Sequence, residues 1–337
     1  MTYHEIITYN RKRLPRSINW WPMYFYHFTD IRNALGIIEK GWIYARHNAE
    51  KNALMNSDNA SRNVIAVSSS PIKDYARLYF RPKTPTQYHN EGYKPEAIRN
   101  PDLNASCPVP VFFFLDAEKV LNMDGVQFSE TTCAGAKDLK LLSGEDSFSL
   151  LPFEKIYHEG SFSPENRDDI ISHRQAEVVR TDGICLKDCL KGIMCRSSAE
   201  KQTFLYLLKT QYYPKYVAYR NIIRYEPSFD IFYNNGIFVR NVDYNGALRI
   251  QFNDAAKRTY YSQKTAEIKC DVYIYYTSPD GDVKSREAVT LMLDYRCENK
   301  IEIRSCQRAS DYAVIEILFD GIMMYKNSIN LSSDYLL

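Results

Sequence analysis

The chain has 337 residues, of which 45% are hydrophobic and 25% charged, with a net charge of only +2. That length and apolar content fit two domains with sizeable cores and exclude a disordered chain. The near-neutral balance excludes a globally basic polyanion binder, so any nucleic-acid site must be a local patch.

The N-terminal basic residues Arg11, Lys12, Arg13 and Arg16 are followed by no apolar h-region, which argues against export. No run of eighteen apolar residues offers a membrane span. The eight cysteines are spread thinly through apolar contexts such as Ile184-Cys185-Leu186, the pattern of a reduced cytoplasmic protein and not of a disulfide scaffold. The 27 tyrosines are expected mainly in cores and half-buried sheets, with a minority free to stack on bases.

In chain order, the aromatic run from Trp20 to Thr29 reads as a strand. Asp30 then caps a helix carrying Ile31, Leu35, Ile37 and Ile38, which Gly41 stops. Trp42-Ile43-Tyr44 starts another strand. Residues 47–63 read as a loop with some helix, and Val64 to Val67 as a short strand. The prolines of Arg81-Pro82-Lys83-Thr84-Pro85-Thr86 exclude regular helix or central strand there, and Tyr88 to Pro108 reads as a long surface loop. Pro110 to Leu115 is a buried strand and Gln127-Phe128-Ser129 another. Asn166 to Ala176 is expected as helix, Ala176 to Val179 as strand, Ile193 to Arg196 as strand and Ala199 to Thr210 as helix. From Phe229 onward, six to eight strands are expected, among them the hairpin that turns at Ser278-Pro279-Asp280-Gly281 and the pair Ala313–Phe319 and Gly321–Tyr325.

Four local features can carry chemistry. His27 and Thr29 alternate with aromatics and share a strand face, either to bond a ligand or as satisfied core groups. Arg62 offers a fork for phosphate or carboxylate, or is simply solvated. Arg81 and Lys83 sit in a stiff loop before Tyr88, which suits a polyanion or a structural turn. Glu177 opens an apolar strand after Arg174-Gln175-Ala176, where a carboxylate is costly unless it is paired or used. Such a group could orient sugar hydroxyls and support a cationic transition state. Phosphate-binding glycine loops and the hydrolase nucleophile elbow are absent, and no histidine stands at zinc spacing from Cys185, Cys189 or Cys195, so no metal site is expected.

In this order, the features resemble the DarT family of NAD-dependent DNA ADP-ribosyltransferases. The likeness runs from Tyr26-His27-Phe28-Thr29-Asp30-Ile31 through Asn33 and Gly41-Trp42-Ile43 to Arg62-Asn63. It continues through Asp74-Tyr75, Tyr79-Phe80, Arg81 to Pro85 and Phe153-Glu154-Lys155-Ile156, and ends on Arg174-Gln175-Ala176-Glu177-Val178-Val179. The resemblance implies an α+β fold: an ADP-ribosyltransferase-like split mixed β-sandwich with flanking helices over residues 1–225. Residues 226–337 lie beyond it, and their own strand pattern reads as a small all-β, sandwich-like accessory domain. It implies NAD⁺ as a consumed co-substrate held by His27, Thr29, Asn33 and Tyr88, with Glu177 and Arg62 catalytic. Arg81, Lys83, Thr131, Thr132 and Arg174 are implied to meet the nucleic acid, the loop near Thr131 to Leu142 recognising the substrate. The acceptor is expected to be single-stranded DNA (thymidine, then guanosine) with RNA as the alternative, in a toxin or anti-phage defence effector. An antitoxin or chaperone partner would use the C-terminal domain. A non-catalytic module reading nucleic acid or a partner on the same fold is the competing reading.

Three departures from the family pattern stand out. Ala76-Arg77 replaces Val-Pro, Thr84-Pro85-Thr86 replaces Ser-Pro-Met, and Phe128-Ser129-Glu130 replaces Phe-Thr-Asp.

Overall fold

In the computed structural model, the structure describes residues 1–45, 47, 74–99, 106–133, 140–258, 266–304 and 310–332. The expected strand at 64–67, nearly all of the 47–63 loop, and Arg62 lie outside the described residues.

The α+β class holds. The first part is built on a seven-stranded mixed sheet. Its strands are β1 (Tyr24–Asp30), β3 (Ala76–Tyr79), β4 (Pro110–Asp116), β5 (Gln127–Phe128), β6 (Glu177–Arg180), β8 (Leu190–Cys195) and β9 (Ile223–Arg224). The order is β5-β6-β3-β1-β4-β8-β9, antiparallel except for the last pair. Separately, β2 (Trp42–Ile43) pairs with β7 (Ile184–Cys185). Between β1 and β4 seven residue pairs are in register, from Tyr24↔Asp116 to Asp30↔Pro110. Between β1 and β3 a single pair, Tyr26↔Tyr79, holds the sheet together. The sheet is therefore nearly divided at that seam, with Glu177 in one half and His27 in the other.

Local chemistry explains these elements. Strand β4 is apolar from Pro110 to Leu115, where both its faces are buried. Asp30 caps the helix Ile31–Lys40 by accepting from the Arg32 amide, and Gly41 ends it in the left-handed region at φ 74°. Two expectations need correction. The Trp20–Thr29 strand starts only at Tyr24, because Pro22 favours a 3₁₀ turn over Trp21–Met23. The described residues of the Tyr88–Pro108 stretch are not one surface loop. Pro85 sits in the first turn of the helix Pro85–Asn90, capped by Thr84, where its missing N–H costs nothing. Glu91 and Tyr93 are then buried.

The C-terminal part is all-β. One sheet holds β10 (Val239–Tyr244), β11 (Leu248–Phe252) and β14 (Lys300–Ile303), in the order β10-β11-β14. The other holds β12 (Glu267–Thr277), β13 (Val283–Asp294), β15 (Tyr312–Phe319) and β16 (Ile322–Asn330), in the order β13-β12-β15-β16. Phe252 of the first sheet meets Phe319 of the second at 5.8 Å between ring centroids. Alternation such as Ala313, Ile315 and Ile317 buried against Glu316 half-buried produces this packing.

The two parts share apolar contacts. Ile231 and Phe232 cluster with Tyr26, Phe28, Phe112, Phe114 and Met194. Close by, Arg196 is fully buried between Glu91 and Glu200 and lies 3.8 Å from the Phe238 ring centroid. Burial, which Arg196 only partly offsets, pushes the Glu200 carboxyl up to about 7.

Candidate functional site

Strand β3 alternates: Ala76 and Leu78 are buried, while Arg77 and Tyr79 are half-buried. Its register with β6 sets Arg77 opposite Val179 and Tyr79 opposite Glu177, so Arg77 and Glu177 are diagonal neighbours on one face. The Glu177 side chain is 1% exposed and that of Arg77 29%. The Arg77 Nε donates to Glu177 Oε2 at 2.9 Å, and its Nη2 donates to Oε1. Desolvation opposes the charge on Arg77, but Glu177, with Tyr79 adding to it, leaves the guanidinium pKa raised. The pair is a bidentate fork, the geometry that fixes a carboxylate best.

A polar rim continues from this pair. Ser129 donates its amide to the Glu177 carbonyl at 2.8 Å, and its hydroxyl accepts the Glu177 amide at 3.3 Å. The Cys133 thiol contacts the same hydroxyl at 3.2 Å. Burial first, then the nearby Glu177 charge, pushes that thiol up to about 12, so it is no nucleophile at neutral pH. Across the seam, His27 Nδ1 lies 3.3 Å from the Arg77 carbonyl. Burial lowers the His27 pKa to about 4 against the weaker pull of that carbonyl, so the imidazole is neutral at pH 7. Arg77 therefore spans the seam: its side chain holds Glu177 and its main chain meets His27.

The remaining sequence-derived residues divide into groups. Thr29 is buried and accepts from Asn33 Nδ2 at 3.3 Å, which brings these two together. The Tyr88 ring lies 5.2 Å from Tyr233, and its carbonyl accepts from Asn235. Thr131 and Thr132 are half-buried at the start of their loop, the Thr131 carbonyl accepting from Ser129 Oγ at 2.6 Å. Residues 134–139 of that loop lie outside the described residues.

The cations expected at nucleic acid are engaged within the protein. Arg81 is 1% exposed and donates to the carbonyls of Pro82, Ile156 and His158 and to the Glu159 carboxylate. It also lies 4.8 Å from the Trp21 ring centroid. Arg81 is thus an internal clamp in this structure and presents no surface. Arg174 donates to the carbonyls of His158 and Gly160 at 3.0 Å each, so both arginines brace the 156–160 loop. Lys83 pairs with Asp230 at 2.7 Å.

Sequence reasoning passed over Arg77, Tyr79, Ser129 and Cys133. For Arg77 the signal was present: a cation alternating with buried Ala76 and Leu78, at a point where the family pattern has a proline. Among the described residues no group of three His, Cys, Asp or Glu side chains is arranged to hold a metal.

The family model described as ssDNA thymidine ADP-ribosyltransferase, DarT, matches residues 26–226, more than half of the chain. No curated protein matches it by sequence. Among solved structures, Thermus sp. 2.9 DarT in complex with NAD⁺ is similar, with a TM-score of 0.46 and 17% identity, covering 62% of this chain and 97% of the other. The same protein with ADP-ribosylated ssDNA gives 0.47 and 17%, over 62% and 96%. Thermosipho africanus DarTG in complex with ADP-ribose gives 0.46 and 14%, over 65% and 52%.

Proposed function

The chain belongs to the DarT family of single-stranded-DNA ADP-ribosyltransferases, and we propose that it transfers ADP-ribose from NAD⁺ to a base of single-stranded DNA with Glu177 as the catalytic carboxylate. The observation that carries this reading is a buried Glu177 at the head of β6, gripped by Arg77 of the neighbouring β3, within the matched span.

The chemistry follows from the bond that breaks. Nicotinamide leaves the ribose C1′ with the bonding pair, departing neutral, and positive charge builds on the ribose as in glycoside cleavage. A base nitrogen then bonds to C1′ and releases its proton to solvent water. A carboxylate has about four lone-pair sites, and the Arg77 fork occupies two. Glu177 keeps capacity to accept ribose hydroxyls and to stabilise the developing charge. His27, as a neutral imidazole, holds NAD⁺ by hydrogen bonds and not by charge, and Thr29, Asn33 and Tyr88 share in holding it. Arg62 positions the acceptor base. The threonines at 131 and 132 open the recognition loop. Access to the base requires a single strand or an extruded nucleotide.

Thymidine is the preferred acceptor in this reading and guanosine the second, in a toxin or anti-phage defence effector. Residues 226–337 form an accessory domain, divided from the catalytic domain at 225/226, that docks an antitoxin or chaperone. The test is incubation of the full chain with labelled NAD⁺ and mixed DNA and RNA oligonucleotides, followed by mass-spectrometric mapping. Label on a DNA base, lost in Glu177→Gln, is the expected result. Label on RNA alone corrects the acceptor, and no label with wild type and variant alike overturns the reading.

A further inference from the structure

Between Glu200 and Glu226 the sequence holds five cations, six tyrosines and no carboxylate. Such an acid-free stretch stands out in a chain whose charges otherwise nearly cancel. The structure folds it into most of the helix Ser198–Gln211, the helix Tyr213–Tyr219 and strand β9. Tyr212 and Tyr219 anchor the second helix by packing on the core, and Tyr216 is half-buried at the core's edge with part of its ring open to solvent. Its outer side carries Tyr213, Tyr216, Val217 and Arg220, at the i, i+3, i+4, i+7 spacing that makes one face. Tyr213 is 58% and Val217 50% exposed. The Tyr213 and Tyr216 ring centroids are 6.0 Å apart, and the Arg220 guanidinium lies 5.7 Å from the Tyr216 centroid. Lys209, Arg220 and Arg224 are exposed and Lys215 half-exposed, and among the described residues none of the four has a carboxylate within ion-pair distance.

We propose that this surface is a second contact for single-stranded nucleic acid, away from the catalytic seam. Tyr213 and Tyr216 stack on bases, while Lys209, Lys215, Arg220 and Arg224 hold phosphates. Aromatic faces interleaved with unpaired cations are the means by which proteins bind single strands without regard to sequence. A membrane surface would need a broad apolar face, and two exposed apolar side chains on a two-turn helix do not supply one. The inference rests on the single-stranded-DNA reading above and adds a length requirement to it. Arg224 lies on β9 and Glu177 on β6, five strand spacings apart in the sheet order. At ~4.8 Å per spacing that is roughly 24 Å. A stacked strand rising ~3.4 Å per nucleotide spans it in about seven nucleotides. Oligonucleotides shorter than that reach only one of the two sites.

The test is fluorescence anisotropy of the full chain, without NAD⁺, against labelled six-, twelve- and twenty-four-nucleotide single-stranded DNA of mixed sequence. Wild type is expected to bind the twelve-mer about ten-fold or more tighter than the six-mer, as one added base stack plus phosphate contacts gives. In the double variant Tyr213→Ala with Arg220→Ala that gain disappears, the salt slope for the twenty-four-mer falls by about 0.7 for the one cation removed, and the circular-dichroism melt is unchanged. A wild type with no gain from six to twelve nucleotides overturns the proposal, as does a variant that keeps the gain or a preference for phosphatidylserine vesicles over the twenty-four-mer. If the six-mer is modified when NAD⁺ is added yet length brings no gain, only this proposal falls. If DNA of no length is bound or modified, the functional reading falls with it.

Discussion

The guanidinium of Arg77 grips both carboxylate oxygens of Glu177, a hundred residues away in the chain. The carboxylate is buried almost completely while the arginine keeps partial access to solvent. That asymmetry decides what each partner's loss should do.

Glu177→Gln leaves a partly exposed Arg77 still bonded to an amide oxygen. It is expected to change stability by about 1 kcal/mol or less, the worth of one net hydrogen bond, while ADP-ribose transfer falls by ~100-fold or more, as when an electrostatic stabiliser is removed. Arg77→Ala instead strands a buried carboxylate and is expected to cost about 3 kcal/mol. Urea unfolding alongside the transfer assay separates the two, and equal stability losses would refute the asymmetry.

Because the His27 pKa is lowered to about 4, the imidazole stays neutral across the physiological range. NAD⁺ affinity, measured by calorimetry, is expected to show no histidine transition between pH 5.5 and 8. His27→Ala should weaken it by about ten-fold, one hydrogen bond's loss at a buried site. A clear inflection near pH 6.5 in the wild type that His27→Ala abolishes would show that the ring titrates there.

Stability should respond to pH through two groups of opposite sign. His27 has a folded pKa below its ordinary 6.5, so its contribution is present above 6.5 and is lost as the pH falls through about 4. Glu200 has a folded pKa raised from 4.5 to about 7, so its contribution is present below 4.5 and is lost as the pH rises through about 7. The two slopes oppose each other between pH 4.5 and 6.5. Glu200→Gln should remove the opposing slope, visible as a urea midpoint that climbs more steeply with pH than in wild type.

Arg81 is bonded inside the protein and 1% exposed. Arg81→Ala should destabilise the chain by at least ~3 kcal/mol, since it takes the donor from the Pro82 and Ile156 carbonyls and leaves the Arg81 cavity empty. At a temperature where the variant is folded, the salt slope of DNA binding should match wild type. A slope reduced by ~0.7 would place Arg81 on a phosphate instead.

Gly236 has φ 69°, and a Cβ there would sit 2.5 Å from the Tyr93 carbonyl oxygen. Gly236→Ala is therefore both strained and obstructed by backbone that cannot swing aside. A loss of about 2 kcal/mol or more is expected in chemical denaturation. Gly246→Ala, with a similar φ of 71° but nothing within 4 Å, should cost clearly less.

What the sequence determined by itself lies close to local chemistry. The Asp30 cap, the Gly41 stop, the apolar β4 and the alternating strands after Phe229 follow from periodicity and turn residues within a few positions of each other. The order of motifs from His27 to Glu177 identified the family, because such motifs keep their chain order whatever packs around them. The tertiary structure decided what each charge does. Arg81, Lys83 and Arg174 looked like free cations in sequence, yet each meets a partner brought from at least fourteen residues away. Arg77 looked like a departure in a proline position and is the group that holds Glu177. A charge in a sequence carries no information about its distant neighbours, and at 1% exposure those neighbours determine whether it binds, clamps or reacts.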